Sequence, residues 1–170
     1  MEENTILKVN NLRVEFDGEK VIENLSFEVK EKETLVILGP NGAGKTVLLR
    51  TLLGLIPYQG DIEWKSGIKI GYVPQRLPMI KDVPLNVEEF FKLKNSSKGE
   101  TLELLDSVGI RSPNVLKRGI GDFSSGQFQR ILVAWGLVSN PQVLLSDEPM
   151  AGIDLGGEDT IYNLLEKLKE

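Results

Sequence analysis

The sequence predicts an α/β fold in which an antiparallel β-subdomain precedes a parallel core sheet carrying a helical insert. Three observations carry that expectation. Residues 6–29 alternate apolar and polar side chains, the period of half-buried strands. Two apolar runs, TLVIL at 34–38 and QVLLSDEP at 142–149, have the composition of strands buried on both faces. Between them, residues 85–138 read as mostly helical.

Taken in order, ILKVNNLRVEF and VIENLSFEV form the opening strands, joined by the turn DGEK at 17–20. TLVIL follows as a core strand, then the glycine-rich loop GPNGAGKT at 39–46, then the helical run TVLLRTLLGL at 46–55. GDIEW and IKIGYV are two further short strands. Asn86 with Glu89 three residues on has the pattern of a capping box and marks a helix start. NSSKGE at 95–100 is expected to be a solvated loop, and TLELLDSVG a short helix. The strand at 142–149 ends in acids, and the final stretch places Ile161, Leu164, Leu165 and Leu168 on one helical face. The whole reads as a single domain over residues 1–170, with 85–138 as a helical subdomain within it.

The 170 residues are 41% apolar and 26% charged, the balance of an ordinary globular protein. A net charge of −5 argues against a role coating nucleic acid. There is no cysteine, which removes disulfides and thiolate metal sites, and no histidine, the commonest general base. The longest apolar-plus-glycine run, ILVAWGLV at 131–138, is far short of the ~20 residues a spanning helix needs. The acidic start MEENTILKVN lacks the layout of a signal peptide. The expected location is the cytoplasm, with membrane contact only through a partner.

GPNGAGKT fits the pattern G-x-x-x-x-G-K-[ST] of a phosphate-binding loop. Glycines let backbone N–H groups wrap phosphates, and the helix start behind them adds a positive end. Gly39, Pro40, Asn41, Gly42, Ala43, Gly44, Lys45, Thr46 and Val47 are therefore the candidate nucleotide-binding residues. Lys45 is placed to reach the β- and γ-phosphates, and Thr46 to ligate Mg²⁺. Asp147, at the end of an apolar strand, supplies a carboxylate for the Mg²⁺ shell. Glu148 can polarise a water for attack on the γ-phosphate.

A second small-residue helix start, FSSGQ at 123–127, makes the pattern more specific. A phosphate loop, then Gln75 after a strand, then an SGQ helix start, then Asp-Glu, resembles the ATP-binding cassette (ABC) transporter ATPases, P-loop NTPases that use ATP and Mg²⁺. The resemblance runs from residue 6 to the end. It implies that Phe16 stacks on adenine and that Gln75 senses Mg²⁺ and the membrane partner. It implies that Ser124, Ser125, Gly126 and Gln127 close over ATP held by a second, head-to-tail copy, and that Asp154 is the D-loop aspartate. It also implies a permease, contacting a groove beside the helical insert. Leu77, Met79, Ile80, Phe90 and Phe91 are the candidate apolar surface there, with about half of them expected to serve the core instead. The runs around GYVPQR and SSGQFQR are similar to those of zinc- and manganese-type importers.

The sequence departs from the family pattern at Phe123, Ser125, Ser146, Trp135, Gly136 and Met150. Ser125 adds a Cβ where backbone approaches phosphate, so closure is expected to be weaker. The family's switch histidine has no counterpart, and the chain is expected to be a C-terminally truncated cassette that binds ATP but turns it over poorly. Two alternatives stay open: a nucleotide-binding module with little hydrolysis, and a soluble ABC ATPase. A GTPase is disfavoured, since no [NT]-K-x-D motif appears.

Overall fold

The computed structural model describes residues 4–75, 84–150, 152–153 and 155–167. They fall into two compact units, Met1–Ile68 and Lys69–Glu170.

The first unit is built on an antiparallel sheet of order β2-β1-β3. Strand β1 spans Thr5–Phe16, β2 Glu19–Lys30 and β3 Gln59–Trp64. β1 and β2 meet through the two-residue turn Asp17-Gly18, both at positive φ (48° and 84°), the geometry that matches the twist of a hairpin. The alternation read in the sequence is visible along β1, which buries Ile6, Leu7, Val9, Leu12 and Val14. Helix α1, Lys45–Leu52, buries Leu48, Leu49, Thr51 and Leu52. Trp64 Nε1 donates to the Leu52 carbonyl (3.0 Å), satisfying one of the acceptors left open at the helix end.

One expectation is corrected here. Residues 34–38 form no strand and belong to neither sheet. Leu38 is 88% exposed, and Leu35 and Val36 are also exposed. A continuous apolar run is a strand only when flanking backbones complete its ladder, and residues 34–38 supply no rung to β2-β1-β3.

The second unit joins a parallel pair, β4 (Ile70–Val73) and β5 (Val143–Ser146), to a helical cluster. Helix α2 spans Val87–Lys92, α3 Lys98–Ser107, α4 Ser125–Gly136 and α5 Leu155–Lys167. Single 3-10 turns lie at Val115–Lys117 and Ile120–Asp122. The Asn86–Glu89 capping box is present, both bonds at 2.9 Å. The stretch expected as a solvated loop at 95–100 instead starts α3. Ser97 caps it, and the buried Ser96 bonds Glu100 and Thr101.

The core of this unit gathers Phe90, Phe91, Leu105, Val108, Ile131, Leu132 and Ile161 around Val73. Phe90 and Phe91, candidates for a partner surface, are thus core residues, because α2 is short and turns both rings inward. Leu77, Met79, Ile80, Leu168 and Asp154 lie outside the described residues. Trp135 is held on three sides. It stacks on Phe90 (centroids 5.3 Å, 28°), donates from Nε1 to the Phe90 carbonyl (3.2 Å), and lies under Lys94 Nζ at 4.0 Å. Burial holds Lys94 below its ordinary pKa. Among the described residues no helix is long and apolar enough to cross a membrane.

Candidate functional site

In the first unit the 39–46 loop runs into α1. Gly42 and Gly44 sit at φ 85° and 86°, the left-handed region that glycine enters without strain. At Gly44 a Cβ would lie 3.0 Å from Val21 Cγ1, so the position is closed to side chains on two grounds. Gly44 is also the N-cap of α1, and a glycine offers no side chain to cap it. The first turn holds no acidic residue. A helix start without a side-chain cap, behind backbone turned by left-handed glycines, suits an anion.

Lys45 Nζ folds back on the loop, donating to the carbonyls of Gly39 (2.8 Å) and Pro40 (3.0 Å). These contacts hold the ammonium over the loop. Thr46 and Val47 occupy the first turn, half-buried. Asn41 and Ala43 are exposed on the loop, with the Ala43 amide donating to the Pro40 carbonyl (3.2 Å). Phe16 closes β1 beside the hairpin turn with 43% of its surface exposed.

In the second unit the structure brings Gln75 and Glu148 together. The Gln75 side-chain amide donates to the Glu148 carboxylate. Glu148 has φ 49°, which costs a side chain with a Cβ about 1 kcal/mol and turns it out to solvent after β5. Its neighbour Asp147 is only 4% exposed, and its backbone N–H donates to the Val73 carbonyl (2.9 Å).

Helix α4 starts at Ser124, whose hydroxyl accepts from the Gln127 N–H (3.2 Å) while Gln127 Oε1 accepts from the Ser124 N–H (3.1 Å). Ser124 and Ser125 are exposed, and Gly126 and Gln127 half-buried. The reciprocal cap uses the two side chains but leaves the Ser125 and Gly126 N–H groups with no intrahelical acceptor.

Among the described residues no group of three or more acidic or imidazole side chains could hold a metal. Mg²⁺ bound with a nucleotide needs none, since one or two protein oxygens and the phosphates suffice. The Thr46 hydroxyl and the Asp147 carboxylate are each, taken singly, oxygen donors of the kind such an ion takes. Sequence reasoning missed Gln129, which is 5% exposed and bonded to the Pro74 carbonyl. Its signal was helical spacing, since Gln129 stands three and four residues before the buried Leu132 and Val133 and so shares their face.

Comparison with known proteins covers most of the chain. The family model described as ABC transporter matches residues 22–151. The zinc import ATP-binding protein ZnuC of Photorhabdus laumondii is 39% identical over 167 residues, 97% of this chain and 64% of that protein. Its counterpart in Cereibacter sphaeroides is 38% identical over 167 residues, 97% of this chain and 68% of that protein. The chain thus spans about two thirds of the length of these relatives. An inward-facing metal-chelate type ABC transporter superposes with a TM-score of 0.80 at 28% identity, over 98% of this chain and 68% of its own. A bacterial Atm1-family ABC exporter with ATP bound superposes at 0.86 with 23% identity, over 100% of this chain and 33% of its own, a likeness of fold.

Proposed function

Since the chain belongs to the ABC transporter family, we propose that it is the ATP-binding and hydrolysing part of a metal-ion importer, working at the inner face of a membrane through a permease. The observation that carries this reading is the 39–46 loop, with its left-handed glycines, its uncapped helix start and Lys45 held over it. The importer half of the reading is supported by relatives named for zinc import.

In this reading Phe16 stacks on the adenine and the loop amides of residues 39–47 receive the phosphates. Lys45 exchanges its Gly39 and Pro40 carbonyls for phosphate oxygens, a gain because the acceptors are then charged as well as the donor. Thr46 and Asp147 would hold Mg²⁺, with Gln75 as a further oxygen donor, and an ion so held would supply positive charge against the phosphates. Glu148 orients a water and takes its proton. Gln75 Nε2 donates to one oxygen of that carboxylate, which orients the group and leaves the other oxygen to accept from the water. Ser124, Ser125, Gly126 and Gln127 would meet the nucleotide of a second copy, head to tail.

The test is phosphate release by the full chain and by Glu148→Gln. Removing the base is expected to lower the rate by about 10²–10⁴-fold while ATP still binds. A chain that binds ATP and releases no phosphate under any condition would be a nucleotide-binding module instead. Co-purification with a permease, and metal uptake by cells carrying both, test the importer half.

A further inference from the structure

Helix α4 packs along strand β4, and two of the contacts mark the ends of that packing. Near the helix start, the Gln129 Nε2 donates to the Pro74 carbonyl at 3.4 Å. At its last turn, the Gly136 carbonyl lies 2.2 Å from where a Cβ on Gly71 would stand. The helix rises about 10 Å from Gln129 to Gly136. The strand advances about 10 Å from Gly71 to Pro74. The two spans match, so α4 runs alongside β4 and engages both its ends. The glycine contact, with no room for a side chain, is the fixed end. The Gln129 contact is the adjustable one.

That adjustable end lies next to the candidate chemistry. Val73 O accepts from the Asp147 N–H (2.9 Å), the last backbone bond between the ends of β4 and β5. Pro74 O, one residue on, is taken by Gln129. Gln75 and Glu148 each follow directly on one of these pinned positions, and their side chains then meet. Burying an amide on a helix between Phe128, Ile131 and Leu132 costs desolvation that a leucine or methionine would not incur. The Pro74 bond offsets that cost, and packing alone gives no reason for the amide.

We propose that Gln129 is a positioning residue whose amide fixes the Pro74–Gln75 peptide, and through Gln75 the carboxylate of Glu148. Its catalytic consequence rests on the ATPase reading above and deepens it. Ser124 and Gly126 open the same helix and are the groups proposed to meet the nucleotide of a second copy. Seating of α4 on that nucleotide then sets the geometry of this chain's own general-base carboxylate, which links the two sites of a dimer through one side chain.

The first readout needs no nucleotide. The side-chain amide resonance of Gln75 is followed by NMR in the full chain, identified by its loss in Gln75→Ala. Gln129→Met keeps the volume and removes the donor; Gln129→Glu keeps the shape and presents an oxygen to the Pro74 carbonyl. In either variant that folds, the Gln75 resonance is expected to move toward that of a solvated glutamine. An unmoved resonance overturns the proposal. The second readout is phosphate release. Gln129→Met is expected to lower kcat about 10- to 100-fold at unchanged KM, with no further loss in a Gln75→Ala background. Additive losses in the double variant would show that Gln129 acts by general packing and overturn the proposal. A Gln75 resonance that moves in a chain releasing no phosphate would support the positioning role and sink the ATPase reading alone.

Discussion

The carbonyl oxygen of Gly136 occupies the space in which a side chain on Gly71 would begin, with 2.2 Å between it and the ideal Cβ position. A backbone carbonyl inside α4 cannot step aside without moving the helix. Gly71→Ala is therefore expected to destabilise the protein by about 3 kcal/mol or more, the upper end of overpacking costs. The reverse substitution behaves differently. A Cβ on Gly136 meets the Val73 Cγ2 methyl at 2.7 Å, a closer approach than packing allows, though to a side-chain methyl and not to a backbone carbonyl. Alanine also gains about 1 kcal/mol of helix propensity over glycine. Gly136→Ala is expected to destabilise by about 1–2 kcal/mol, less than Gly71→Ala because the propensity gain offsets part of the clash. Urea denaturation of the two variants checks the asymmetry, and equal effects would show that helix and strand are not in this contact.

Trp135 joins α4 to α2 by a ring stack, a hydrogen bond and a cation over its face. Trp135→Ala is expected to cost about 3–5 kcal/mol. Trp135→Phe keeps the ring against Phe90 and loses the Nε1 donor, at about 1 kcal/mol. The Phe90 carbonyl keeps a second donor in the Leu93 N–H, so it is not left bare. Comparable losses in both variants would contradict the ring stack as the larger contribution.

Glu100 ties the start of α3 to the end of α4. The Ser139 N–H donates to its carboxylate (2.8 Å), and the Ser96 hydroxyl does so as well (2.8 Å). These bonds, the Ser139 amide first, hold its pKa below the ordinary carboxylate value of 4.5. A lowered folded pKa means that the unfolded chain takes up the proton first. The contribution is fully present above the unfolded value and is lost as pH falls through the folded one. Stability measured between neutral pH and pH 3 is expected to fall less steeply in Glu100→Gln than in the parent below about pH 4.5. Identical acid limbs in the two proteins would remove Glu100 from the account.

Much of the local structure was legible because its cause is local. Asp17-Gly18 fixes the hairpin through its two positive φ angles. The Asn86–Glu89 and Ser124–Gln127 boxes start α2 and α4 within four residues of chain. What the sequence hid depends on partners far away in it. Whether TLVIL pairs is decided by strands elsewhere, and residues 34–38 lie outside both sheets. Phe90 and Phe91 read equally as surface or core until Trp135 and Leu105 close on them. Trp135 and Gly136 looked like departures from the family pattern. One is a stacked latch and the other a close approach to Gly71. In the candidate site, Lys45 and the loop glycines were readable from spacing. The contact between Gln75 and Glu148 was not, because it joins positions 73 apart and depends on a left-handed turn at a glutamate.

The central claim is that the 39–46 loop receives the phosphates of ATP, with Lys45 as their cation. Calorimetric titration of ATP with Mg²⁺ into the full chain and into Lys45→Ala tests it most directly. The account predicts a saturable heat in the parent and a loss of about 1.5–3 kcal/mol of binding free energy in the variant, from one charge-assisted contact. That is roughly a 10- to 150-fold rise in Kd. Equal affinity in the two proteins, or no binding by the parent, would contradict it.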